Sequence, residues 1–223
     1  MSSHRIYEEK HDIDTDNTKN FYDQRAKNIG NMSSPYVAVL LGDQDPQHAV
    51  DWNTFEKTFI LPQLKVNKSS SVLDIGCGIG RWAESIIPEA GYYLGTDFSG
   101  EMIKIAQQRC SFENADYDFI NVSFQEACRR SSEKLQRKFN RVVIGGVCMY
   151  INDADLKDCI AGLIDLLDEH CIMYLTETVA VETRLTLDEC PSDALKTTYD
   201  VIYRTPSEYN AYYEVFKNCL LYT

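Results

Sequence analysis

The residues best suited to chemistry in this 223-residue chain fall in one run, Val72-Leu73-Asp74-Ile75-Gly76-Cys77-Gly78-Ile79-Gly80-Arg81-Trp82. A short strand, a glycine-rich turn and a helix start make a cradle for a phosphate or carboxylate. Glycine lets a ligand come close to the main chain, and the first N–H groups of a helix attract anions. The pattern is D-x-G-x-G-x-G, with Asp74 inside the strand. It is not the dinucleotide fingerprint G-x-G-x-x-G, because Arg81 stands where the third glycine would fall, and no G-K-[ST] ending makes it a P-loop. Cys77 reads as a small residue filling the turn. The eight cysteines form no C-x-x-C pair and have no histidine at ligand spacing, so reduced thiols and no metal site are expected.

The elements that must hold this loop follow an α/β rhythm. Residues 72–75, 92–96, 117–122, 141–144 and 171–176 read as strands of a doubly wound, mostly parallel, Rossmann-like sheet. Helices are expected over 81–87, 101–109, 124–135 and 153–167, with His170 closing the last as a partner of its dipole. Ahead of the sheet, the polar first 35 residues suggest a mobile start leading into a helix over 21–27. Trp52, Phe55, Phe59 and Ile60 form a helical stripe over 51–61, ended by Pro62. Residues after the fifth strand look irregular up to an aromatic helix over 206–217, and residues 219–223 suffice for one short strand. The expected organisation is a helical cap (1–70), a Rossmann-like core (71–180) and a C-terminal lid (181–223) within one structural domain.

With Asp97 ending the second strand in Gly95-Thr96-Asp97-Phe98-Ser99, the loop resembles motif I of the class I S-adenosylmethionine-dependent methyltransferases, and the likeness runs over about residues 72–176. The resemblance implies S-adenosyl-L-methionine as cofactor, leaving S-adenosyl-L-homocysteine. It places Asp74, Gly76, Cys77, Gly78 and Gly80 around the methionine part, and Asp97, with Phe98 beside it, at the ribose. A carboxylate accepts two hydrogen bonds from a vicinal diol; the alternative for Asp97 is a helix cap. Ser123 and Phe124 correspond to the segment beside the adenine, where the family usually has an acidic residue. Gly145 and Gly146, leading to Tyr150, resemble the segment passing beneath the cofactor and facing the acceptor. In Phe21-Tyr22-Asp23-Gln24-Arg25-Ala26, Tyr22 and Arg25 resemble the N-terminal helix folded over the methionine carboxylate.

Methyl transfer from a sulfonium is an in-line displacement, so alignment and exclusion of water matter more than a dedicated base. For a hydroxyl acceptor the candidate bases are His48, Glu177 and Glu182, with Tyr150 facing the acceptor. A net charge of -12 argues against nucleic acid. The resemblance argues the same way, since it would lead one to expect an N-P-P-Y or D-P-P-Y sequence, or a Pro-Cys pair, after the fourth strand in nucleobase-methylating members, and this chain has neither. A small metabolite or glycan acceptor remains, methylated on oxygen first and nitrogen second. Arg204 among Tyr199, Tyr203 and Tyr209 suggests a lid for a sugar or an anion. The family's closing antiparallel hairpin is not read in the sequence, and its loss would leave a sheet edge open to homodimerisation. No apolar run of membrane-spanning length and no secretory signal is read, so a cytoplasmic location is expected. The alternative reading is a non-catalytic, cofactor-binding partner subunit; an NAD-dependent oxidoreductase lacks its third glycine.

Overall fold

Short, wholly buried runs of apolar residues, each followed by a turn and a helix, dictate the centre of the molecule. The structure, a computed structural model, describes residues 4–40, 45–192 and 197–218. Its N-terminal elements are β1 (Arg5–Tyr7), α1 (Thr15–Lys27), α2 (Val37–Leu40), α3 (Pro46–Phe59) and α4 (Leu61–Leu64). The core follows as β2 (Ser71–Ile75), α5 (Ala83–Ile86), β3 (Tyr92–Asp97), α6 (Gly100–Arg109), β4 (Tyr117–Asn121), α7 (Phe124–Cys128), β5 (Phe139–Gly145), α8 (Asp153–Leu163) and β6 (Leu167–Thr176). Then come β7 (Leu185–Ser192), β8 (Thr197–Tyr203) and α9 (Pro206–Tyr213).

The main sheet is parallel, in the order β4-β3-β2-β5-β6. This is the doubly wound Rossmann-like architecture the sequence implies. Helices cover both faces, so the strands read as continuous apolar runs instead of alternating ones. Leu73 and Ile75 pack with α7 and α8, while Val72 packs with α5 and α6. Ser99 caps α6 by accepting the Met102 N–H (3.1 Å), and Ser123 with Glu126 forms a capping box at α7. Both caps start helices at the end of the sheet where β3 and β4 finish.

The structure departs from the sequence reading at the chain's two ends. Residues 4–27 are built into the fold: β1 pairs antiparallel with β7, and α1 begins at Thr15, where Asp14 accepts the N–H groups of Asp16 and Asn17. An antiparallel hairpin is present, β7 against β8, but in a separate three-stranded sheet, β1-β7-β8. The short strand expected at 219–223 lies outside the described residues. His170 sits within β6, because the strand starts at Leu167 and only a 3-10 turn, Ile164–Leu166, follows α8. The helix expected over 124–135 stops at Cys128. The aromatic stripe of α3 is not a core face. Trp52, Phe55 and Phe59 are 41%, 47% and 58% exposed, and the helix buries Ala49, Asn53 and Glu56 instead. Arg204 belongs to no lid: fully buried, it donates to Asp153 and to the carbonyls of Cys148 and Ile151.

Candidate functional site

A cleft of about 660 Å³ opens at the C-terminal ends of the five parallel strands. Its walls include Asp74 to Gly78 at the end of β2, Asp97 and Phe98 at the end of β3, Val122 to Glu126 after β4, Gly145 to Val147 at the end of β5, and Thr176 to Thr178 at the end of β6. Open α/β sheets place ligands here, because the loops between strand ends and helix starts diverge and present main-chain donors. In the first turn, Gly76 and Gly78 adopt φ values of 71° and 54°, a left-handed path that side chains disfavour. The path turns the Gly78 N–H toward Asp97 Oδ2, 2.9 Å away, and Asp97 Oδ1 accepts the Ser99 N–H at 2.8 Å. One carboxylate therefore joins the glycine turn to the cap of α6. The cap of α6 is Ser99 itself; Asp97 braces it and also lines the cleft.

Burial governs the ionisation of these groups. Desolvation pushes Asp97 up to about 6, opposed by its two backbone hydrogen bonds. It pushes Asp74 up to about 7, opposed by the Tyr93 hydroxyl, which donates to Oδ2 at 2.6 Å. At the other end of the cleft, burial pushes Glu177 up to about 7 although its carboxylate accepts the N–H groups of Val147 (3.1 Å), Cys148 (2.8 Å) and Met149 (3.2 Å). Glu177 thus anchors the 3-10 turn Cys148–Tyr150 to the end of β6. That turn carries Tyr150, whose hydroxyl accepts from Tyr22 at 2.8 Å; Tyr22 is pushed up to about 12 by burial and Tyr150 is raised further. Both stay neutral hydroxyls at physiological pH. Their rings meet edge to face at 5.4 Å, with Phe98 6.1 Å from Tyr22.

Tyr22, His48, Asp74, Gly76, Cys77, Gly78, Asp97, Phe98, Ser123, Phe124, Gly145, Gly146, Tyr150 and Glu177 all border the cleft. Arg25, Gly80 and Glu182 do not. Arg25 is fully buried beneath α1 and donates to the carbonyls of Val37 and Ala38, which fasten α2. Gly80 serves packing, because a Cβ there would lie 2.9 Å from Cys110 Sγ and 3.3 Å from Ala106 of α6. Glu182 is exposed on the strand connection. His48, in the first turn of α3, is exposed and stacks on Trp52 at 6.5 Å. Sequence reasoning missed Glu56 and Arg81, which border the cleft as a buried ion pair 2.7 Å apart. The signals were present: His48, Trp52 and Glu56 recur every fourth residue along α3, and Arg81 fills the place of a glycine.

A protein-family model described as "Methyltransferase domain" matches residues 72–170. That stretch begins with the glycine turn and runs through Asp97 and the segment after β5. Residues 72–170 thus match a methyltransferase domain, and the parallel sheet that holds them has the class I methyltransferase fold. The chain is 24% identical over 220 residues to phosphoethanolamine N-methyltransferase 1 of Triticum aestivum, a match covering 98% of the chain and 36% of that relative. It is 28% identical over 130 residues to phosphoethanolamine N-methyltransferase 1 of Caenorhabditis elegans, covering 58% of the chain and 26% of that relative. The chain thus spans about a quarter to a third of the length of these curated relatives. The fold is similar to that of Haemonchus contortus phosphoethanolamine N-methyltransferase 1, solved with phosphoethanolamine and S-adenosylhomocysteine. There the TM-score is 0.65 at 19% identity, over 88% of this chain and 39% of that one.

The cleft suits S-adenosylmethionine. Asp97 turns a carboxylate to it beside a turn that lets a ligand approach the main chain, and a Cβ at Gly146 would meet nothing within 4 Å, leaving room above the end of β5. No helix among the described residues is long and apolar enough to cross a membrane, and no cluster of His, Cys, Asp and Glu among them could hold a metal ion.

Proposed function

We propose that this methyltransferase transfers a methyl group from S-adenosylmethionine to a nitrogen of a small, amine-bearing acceptor of the phosphoethanolamine kind. The observation that carries the reading is one cleft with two unlike sets of lining residues. Asp74, Gly76, Gly78 and Asp97 supply carboxylates and an open main chain suited to the cofactor, and Tyr22, Phe98, Met149, Tyr150 and Glu177 supply an aromatic wall with one carboxyl group. The sequence reading ranked oxygen before nitrogen; the relatives' names and the aromatic wall support nitrogen first.

The cofactor would supply an electrophilic methyl carbon on a sulfonium. Asp97 would hold the ribose diol, and the glycine turn would let the amino-acid part lie against the main chain. Methylating an amine places positive charge on the nitrogen. The faces of neutral aromatic rings attract cations by about 0.5–2 kcal/mol, and burial keeps the Tyr22 and Tyr150 rings neutral. An ammonium acceptor must lose a proton before its lone pair can attack. Glu177, raised to about 7, sits in the same wall at a proton affinity suited to exchange near neutrality. A hydroxyl acceptor would gain nothing comparable from the rings.

A panel of amines, phosphoethanolamine included, and of hydroxyl and glycan acceptors incubated with S-adenosylmethionine should give N-methylated products, read as one added methyl group by mass spectrometry. Products methylated only on oxygen would overturn the choice of nitrogen. Tight S-adenosylhomocysteine binding with no product from any acceptor would favour a non-catalytic partner subunit.

A further inference from the structure

The cation expected to meet the cofactor's carboxylate, Arg25, is fastened to α2, and the cleft is bordered by a different arginine. Arg81 opens the turn after the glycine loop and is 7% exposed. Its Nη1 donates to Glu56 Oε2 at 2.7 Å, and its guanidinium carbon lies 4.9 Å from the Trp82 ring centre. Glu56 is 1% exposed and is held from its other side by the Tyr174 hydroxyl, 2.8 Å from Oε1. Among the described residues Nε and Nη2 of Arg81 have no hydrogen-bond partner, and neither is sealed from solvent. Arg81 thus borders the cleft with donors to spare. Among the Lys and Arg side chains of the described residues, only Lys19 also borders the cleft, and it is bridged to Asp23 at 3.3 Å.

Burying a Glu–Arg pair in a cleft wall is costly, and replacing such a pair by apolar residues is often neutral or stabilising. Here the pair lines the same cleft as Gly76, Cys77, Gly78 and Asp97, and Arg81 follows the glycine turn directly in the chain. A ligand held at Asp97 by its diol and laid along the turn has its far end in the cleft that Glu56 and Arg81 also line. On the reading that this ligand is S-adenosylmethionine, the far end is a zwitterionic amino acid. We propose that Arg81 binds the carboxylate of that amino acid through its unbonded N–H groups, with Glu56 beside it facing the α-ammonium. Tyr174 and the Trp82 ring then act as positioning groups, holding the fork of Arg81 in place before the ligand arrives. A guanidinium suits this task because its planar donors match a carboxylate two at a time.

The test is calorimetry with two ligands, S-adenosylhomocysteine and 5′-methylthioadenosine, which share the nucleoside and sulfur but not the amino acid. Arg81→Met should weaken S-adenosylhomocysteine roughly tenfold or more and change 5′-methylthioadenosine by less than about twofold. Because Arg81→Met leaves a buried carboxylate unpaired, the double variant Glu56→Gln with Arg81→Met is measured alongside, and the same selective loss is expected. Equal losses for both ligands, or none for S-adenosylhomocysteine, would overturn the role of Arg81 while leaving the cofactor reading intact. A parent protein that binds neither ligand would overturn the cofactor reading itself, and this inference with it.

Discussion

Asp74 is the residue whose energetics are most unusual for its type. It lies within β2, is 1% exposed, and is held by burial at about 7, well above the ordinary carboxylate. Below about pH 4 the folded and unfolded chains both carry its proton, and its contribution to stability is fully present. Between about pH 4 and 7 the folded state keeps a proton that the unfolded state has lost, so stability falls as pH rises through this window. Asp97, raised to about 6, and Glu177, raised to about 7, act in the same direction. Asp74→Asn keeps an acceptor for the Tyr93 hydroxyl and removes the titration. The ligand-free variant should therefore melt above the parent at about pH 7.5 and close to it at about pH 4.5. Thermal unfolding at the two pH values decides this; a difference that does not change with pH would show that Asp74 titrates normally. Asp74, Gly76, Gly78 and Asp97 were legible in the sequence because contiguous text and one βαβ spacing encode them. Glu56 and Arg81 come from α3 and α5's approach and meet only in the folded chain, so no local pattern pairs them.

Among the elements, the parallel strands were readable because each is buried on both faces and writes a short apolar run. The hairpin β7–β8 was not. Cys190, Pro191 and Asp188 break its apolar pattern, and its first strand, β7, also pairs with β1, more than 170 residues away in sequence. What fastens this hairpin to the cleft is Arg204. Its Nε and Nη2 reach Asp153 Oδ1 at 2.9 and 2.7 Å, its Nη1 reaches the Cys148 carbonyl at 2.7 Å, and Nη2 also reaches that of Ile151 at 2.6 Å. One guanidinium thereby ties β8 to the turn that carries Tyr150 and to the first turn of α8. Arg204→Met keeps much of the volume and strands two buried carbonyls. Breaking a buried charged network from one side typically costs about 3–5 kcal/mol, and denaturant titration should show a loss of about 3 kcal/mol or more with an unchanged slope. A loss under about 1 kcal/mol would mean the hairpin is held by its apolar contacts alone.

At the scale of the whole molecule, the N-terminal segment joins the two sheets. The sequence suggested a polar, mobile start, but three sets of contacts tie residues 4–27 to the fold. β1 completes the small sheet along β7. On α1, Phe21 packs against Tyr199 of β8 at 5.2 Å, and Asn17 donates to Asp200 at 2.7 Å. On its other side, Asp23 accepts from Ser99, the cap of α6, at 2.5 Å, and ahead of the helix Ile13 exchanges backbone hydrogen bonds with the Asn152 side chain at 2.8 and 3.1 Å. Polar composition hid this role, because the segment is anchored by a few buried residues, Ile13, Thr18, Phe21, Arg25 and Ala26, instead of an apolar stripe. Burying Ile13 and Phe21 alone contributes about 1.5–3 kcal/mol each. A domain of this size shifts by about 2–4 °C in Tm per kcal/mol. Removing residues 1–27 should therefore lower Tm by about 10 °C or more, open the β7 edge, and strip Tyr22 from the aromatic end of the cleft. Added S-adenosylhomocysteine should restore little of the loss, since ligand binding stabilises only in proportion to the affinity that remains. A truncated chain that melts with the parent would show that the two sheets hold together without the segment that spans them.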